Sequence, residues 1–203
     1  AGALENGSGN VRLWNEQTGF YNDVIEFASG ECTPLEVFSM QAVVPLFAGI
    51  SIPRSAVEQL TEIRAEITRL RRSYGFADSF QPLALSGGDG SHVMLAVVGH
   101  ERLSRMLVRL LDPAQFLSPH GLRSLSRLHL EQPYAYRTGD VEYEVRYVPA
   151  ESGNRMFGGN SNWRGPVWLP MNFLFVQALN SYARFLGDTF TTADPDDPAR
   201  QVT

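Results

Sequence analysis

The stretch TPLEVFSMQAVVPLFA, residues 33–48, decides how the rest of the chain is read. Thr33 has the chemistry of an N-cap, Pro34 falls at the first helical position, and Glu36 completes a T-x-x-E capping box. Val37, Met40, Val43, Val44 and Phe47 keep a helical spacing, and Pro45 marks a kink near the far end. Together these signals predict a helix over 33–48.

Working outward, a second helix opens at Ser55 with Glu58 as its box partner. It carries an apolar stripe of Leu60, Ile63, Ile67 and Leu70 and stops at Gly75. A third spans about 100–111, where Leu103, Met106, Leu107, Leu110 and Leu111 share one face before Asp112-Pro113. A fourth runs from about Pro170 to Leu186, with Gly187 as its C′ residue; it is apolar on most sides, which predicts burial. Four helices predict an all-α, mainly helical chain. The exception is YAYRTGDVEYEVRYV, residues 134–148, which alternates around a Thr-Gly-Asp turn and reads as a small β-hairpin. One unit over 1–190 and a polar, disordered tail over 191–203 (TADPDDPARQVT from Thr192) complete the expected organisation.

Composition narrows the function. A net charge of −5 and a pI near 5.4 argue against a phosphate track, so no nucleic-acid partner is expected. The single cysteine, Cys32, excludes an intramolecular disulfide and a zinc-type cluster, and suits a cytoplasmic location. The apolar run near 167–179 is broken by Pro170, Asn172 and Gln177, so no membrane span is expected, and the start AGALENGSGN lacks the pattern of a signal peptide. His92, His100, His120 and His129 show no metal-ligand spacing, and SGGDGSH (86–92) lacks the Lys of a phosphate loop. Neither a metal nor a cofactor is expected.

Two stretches remain that could carry chemistry. In NSNWRGPVW, residues 160–168, a Trp face can pack on the C–H face of a pyranose, while an Arg fork and Asn amides can bond vicinal hydroxyls. A structural loop that plugs helix ends is the competing reading. In LWNEQTGFYNDV, residues 13–24, Asp23 could accept hydroxyl hydrogen bonds beside Trp14, Phe20 and Tyr21. Read by itself, this second stretch is better taken as a hairpin whose aromatics enter the core.

The succession LWNEQTGFYNDVI (13–25), PLEVFSMQAVVPLFA (34–48), FLSPHGLRSLSRLH (116–129) and GGNSNWRGPVWLPMNFLFVQAL (158–179) resembles the C-terminal catalytic region of glycoside hydrolase family 63, the mannosyl-oligosaccharide glucosidases and mannosylglycerate hydrolases. The resemblance implies part of an (α/α)6 toroid and an inverting hydrolysis of α-glucosidic or related sugars by two carboxyl groups. Their implied segments lie upstream and downstream of the matching region, so no catalytic residue is carried over. What carries over is sugar contact: Asn160, Asn162, Trp163, Arg164, Gly165 and Trp168, with Tyr21 and Asp23. Phe38 stands where the resemblance implies an arginine. The expected partners are an oligosaccharide or small glycoside, together with a second copy or the rest of a parent chain. The rival reading is a non-catalytic carbohydrate-binding or assembly module.

Overall fold

Trp14–Asn15 (β1) and Phe20–Tyr21 (β2) form a tight antiparallel pair. Asn15 Oδ1 organises the turn between them by accepting from the backbone N–H groups of Gln17 and Thr18, and Gly19 closes it at a φ of 65°. Asp23–Glu26 (β3) then pairs antiparallel with Cys32–Leu35 (β4) across a turn in which Gly30 takes a φ of 82°. The computed structural model describes residues 13–59, 62, 65, 66, 69, 90–148, 166–194, 197 and 200–202.

The second hairpin overturns the helix expected over 33–48. Thr33 lies opposite Ile25 and Pro34 opposite Val24, so the residues of the supposed capping box belong to a strand and its extension. Ser39 bridges to Leu125, and the Phe38 N–H donates to His129 Nε2 at 3.0 Å. Helical geometry begins only with a 3-10 turn at Met40–Val43 and the single turn Val44–Phe47 (α1), with Pro45 in its opening positions. The physical reason is competition. An N-cap contributes about 1 kcal/mol, whereas β-branched Val24, Ile25 and Thr33 offer a four-pair ladder, continued by bonds to a distant segment.

Gly49–Pro53 (β5) pairs with His92–Ala96 (β6), from Gly49 opposite Ala96 to Pro53 opposite His92. Pro53 sits at the strand end, where its missing N–H costs least. Arg54–Gln59 (α2) follows, and Glu62, Ala65, Glu66 and Arg69 are helical as well. His100–Leu110 (α3) and Leu169–Leu186 (α4) are the longest helices described without a break, the latter ended by Gly187 at a φ of 57°. Three further antiparallel pairs complete the set: Leu117–Ser118 (β7) with Gly121–Leu122 (β8), Tyr134–Thr138 (β9) with Val141–Val145 (β10), and Thr192–Ala193 (β11) with Gln201–Val202 (β12).

Among the described residues, six two-stranded antiparallel sheets thus stand beside four α-helices. The chain is mixed α and β, not all-α, and the expectation of part of an (α/α)6 toroid falls with that finding. Strands of two to five residues carry too few alternations to stand out against a 3.6-residue period.

One core joins these pieces. α3 contributes Leu103, Met106, Leu107 and Leu110, and α4 contributes Met171, Phe175, Ala178, Tyr182, Phe185 and Leu186. Phe20, Met40, Val43, Leu46, Met94, Val98 and Phe116 fill the space between them. The Tyr182 hydroxyl donates to the Val98 carbonyl at 2.7 Å, so its polar end is satisfied inside the core. α4 is not buried on most sides as expected: Leu169, Phe173 and Val176, at i, i+4 and i+7, are 67%, 63% and 52% exposed. Among the described residues, no helix is long and apolar enough to cross a membrane.

Candidate functional site

Asn160, Asn162, Trp163, Arg164 and Gly165 lie outside the described residues; the stretch enters view at Pro166, where it is tied to the strand segment after β8. The Ser124 N–H donates to the Pro166 carbonyl at 2.9 Å, and Val167 forms an antiparallel bridge with Arg123. Trp168 stands at the N-cap position of α4, half-buried against the core. One turn later the Asn172 side chain locks this junction. Its Oδ1 accepts from the Leu122 N–H at 2.7 Å, and its Nδ2 donates to the carbonyls of Leu122 and Trp168, both at 3.1 Å. An amide can pair with a peptide group in this two-sided way because it carries donor and acceptor side by side. Gly121 leaves room for it: a Cβ there would stand 2.8 Å from Asn172 Oδ1. Neither Gly121 nor Asn172 was singled out from the sequence, since the contact spans fifty residues.

The other candidate stretch is built differently. Trp14 lies opposite Tyr21 in the β1–β2 register, and their rings meet edge to face with centroids 4.9 Å apart. α3 covers the pair with cations: Arg102 and Arg105 lie 5.0 and 5.3 Å from the Trp14 ring centroid. Arg102 also donates to the Tyr21 hydroxyl at 3.4 Å, Arg105 pairs with Glu16 at 2.6 Å, and Arg109 donates to the Thr18 carbonyl at 2.7 Å. Arg105 holds the Glu16 carboxyl below the usual carboxylate range. Tyr21 is 5% exposed, whereas Asp23, two residues on, is on the surface. Burial, followed by neighbouring Tyr21, pushes the Tyr182 phenol up. Tyr21 belongs to the one core cluster, and Trp168 packs against it.

Phe38 takes part in a stack that the sequence did not suggest. Its ring lies against the His129 imidazole, with centroids 5.8 Å apart, and the Arg109 guanidinium sits 4.7 Å from its centroid. His129 is buried, accepting from the Phe38 N–H at Nε2 and facing the Gln132 carbonyl through Nδ1 at 3.0 Å. Only the neutral Nδ1–H tautomer satisfies both bonds. Burial pushes the His129 pKa below its ordinary 6.5, with the Gln132 carbonyl opposing. The unfolded chain then binds the extra proton first, so stability is complete above about pH 6.5 and declines as pH falls from there toward the folded-state pKa. Urea midpoints measured across this window should drop on the acid side, and His129→Gln should flatten the slope. An unchanged slope in the variant would assign the acid sensitivity to other groups.

With this geometry in place, the likeness to known proteins acquires a location. Residues 92–195, just over half of the chain, match the family described as Glycosyl hydrolase family 63 C-terminal domain. The chain belongs to glycosyl hydrolase family 63. It is also 37% identical over 185 residues to the Uncharacterized protein YMR196W of Saccharomyces cerevisiae (strain ATCC 204508 / S288c), a match that takes in 90% of this chain. The chain spans 17% of that yeast protein's length. No solved structure matches it.

Proposed function

We propose that this chain is the sugar-binding portion of a glycoside hydrolase that acts on α-glucosidic or related α-linked sugars with inversion, the catalytic carboxyl pair lying outside it. The observation that carries this reading is the family match over 92–195, which takes in both the NSNWRGPVW stretch and α4. The locked junction at Trp168 supports it, since a binding loop needs a rigid stem. The sugar contacts are then Asn160, Asn162, Trp163, Arg164, Gly165 and Trp168. Tyr21 serves the core, and Asp23 is left at the surface. In the intact enzyme, Arg164→Ala should lower turnover at least about tenfold with an unchanged melting temperature. A large loss of stability with normal specific activity in the folded fraction would make the loop architectural instead.

The outer stripe of α4 favours a second reading, an assembly module. Leu169, Phe173, Leu174 and Val176 are all 42% exposed or more, and they follow one another along two turns. Soluble monomers seldom leave such stripes uncovered. The wild-type chain should sediment with a weight-average mass that rises with concentration, and Phe173→Glu should return it to the monomer. A compact monomer at every concentration excludes the assembly reading.

A further inference from the structure

We infer that His129 is a proton-operated latch, docking an arm made of the 3-10 turn Arg127–Leu130 and the β9–β10 hairpin onto the N-terminal segment around Phe38. The inference goes beyond the carbohydrate reading and stands without it. β9 and β10 pack chiefly on each other, so the arm is attached through its base. There Val145 is buried, and the Tyr134 hydroxyl bonds the Glu36 backbone. The turn is mostly on the surface: Arg127, Leu130, Glu131 and Gln132 are exposed, yet His129 between them is buried. A polar ring set inside in this way costs free energy unless its bonds are made. They are made to three separate places. Nε2 accepts from the Phe38 N–H, Nδ1 faces the Gln132 carbonyl, and the His129 carbonyl accepts from the Tyr147 N–H at 3.1 Å. One residue thus ties the turn and the far end of the hairpin to the N-terminal segment.

A proton on Nε2 would turn this acceptor into a donor aimed at another donor, the Phe38 N–H. The imidazolium would also be buried without an anion, since no ion pair among the described residues includes it. The charged groups on the surrounding elements do not supply one. Arg109 of α3, itself a cation, meets the Phe38 ring and is balanced by Asp112. Glu36 is exposed and acts on Tyr134. Arg127 and Glu131, on the turn itself, are exposed, and Arg146 beside Tyr147 is paired with Glu144. The ring therefore takes up a proton by withdrawing to water, which breaks its bonds to Phe38 and undocks the arm. The docked ring titrates below the ordinary 6.5 that the undocked ring regains. As pH falls from 6.5, the ratio of undocked to docked arm rises by up to about tenfold per unit, until the docked pKa is reached.

NMR on the whole labelled chain tests the latch. At neutral pH the imidazole nitrogens of His129 should show a protonated Nδ1 and a bare Nε2. Amide exchange, corrected for its intrinsic pH dependence, should show protection at Phe38 and Tyr147 falling up to about tenfold per unit below pH 6.5. At pH 5.5 these two amides should exchange through an opening that low urea hardly changes, because little surface is exposed. The Met106 and Leu110 amides of α3 should stay better protected and respond steeply to urea. Equal protection and equal urea dependence at all four would make global unfolding the event that takes up the proton, and would overturn the latch. So would a protonated Nε2 beside a bare Nδ1, or protection at Phe38 that is level from pH 7 to pH 5. His129→Gln, whose amide can accept from the Phe38 N–H and donate to the Gln132 carbonyl without titrating, should make Phe38 protection level across this range. An acid loss in that variant equal to the wild type's also overturns the latch. Where the variant does not fold, the wild-type measurements decide.

Discussion

Gly121→Ala is expected to destabilise the chain by about 3–5 kcal/mol, from backbone strain and a broken polar lock acting at one place. Gly121 has a φ of 118°, a region that residues with a Cβ rarely enter. The new methyl would also meet Asn172 Oδ1 at 2.8 Å, and that oxygen cannot yield without abandoning the Leu122 N–H. Moving Asn172 releases the Leu122 and Trp168 carbonyls too, so the damage spreads from β8 to the first turn of α4. A double-mutant cycle separates these causes. If the clash matters, Gly121→Ala and Asn172→Ala together should cost clearly less than the sum of the two singles, because removing the amide removes the collision. Additive losses would leave backbone strain as the whole account. The same variant bears on function, since Trp168 and the stretch before it hang from this junction.

How much of this was legible in the residues depends on how far each signal reaches. α3 was readable because eleven residues repeat a 3.6-residue stripe, and α4 because a long apolar run is bounded by Pro170 and Gly187. The β9–β10 hairpin was readable because Thr138, Gly139 and Asp140 interrupt a clean alternation. Residues 33–48 misled because a capping box is a four-residue motif, whereas what decides their conformation lies elsewhere: β3 just upstream, and Leu125 and His129 some ninety residues downstream. β5 and β6 escaped notice for a similar reason, each being completed by a partner on the far side of α2. At the candidate site the residue types were readable and their roles were not. Tyr21 and Asp23 look alike as polar groups on a turn, yet the fold buries one beneath Arg102 and leaves the other in solvent. Asn172 read only as an interruption of an apolar helix, although it is the group that holds the helix start in place.

Phe20→Ala should remove about 3–5 kcal/mol, the range for deleting a buried phenyl ring from a packed core. Phe20 is wholly buried, and its ring lies 6.0 Å from Phe38 and 5.5 Å from Phe116, centroid to centroid. Those two rings come from segments far apart in sequence, so the cavity would open where the N-terminal hairpin meets the rest of the core. Phe38 also carries Arg109 and His129 on its faces, and neither can follow a ring into the cavity without breaking bonds to Thr18, Gln115 or Gln132. Collapse is therefore restricted, which places the loss toward the upper part of that range. Tyr21→Phe provides the contrast. Its hydroxyl accepts from Arg102 at 3.4 Å, beyond the usual length of a strong bond, and Arg102 can turn to Trp14 and solvent. That variant should stay within about 1 kcal/mol of wild type. Urea unfolding at a common m-value measures both changes. A large loss for Phe20→Ala beside a small one for Tyr21→Phe, with sugar binding intact in both folded variants, makes WNEQTGFYND a structural element. Loss of sugar binding in a stable Tyr21→Phe protein would restore Tyr21 to the site.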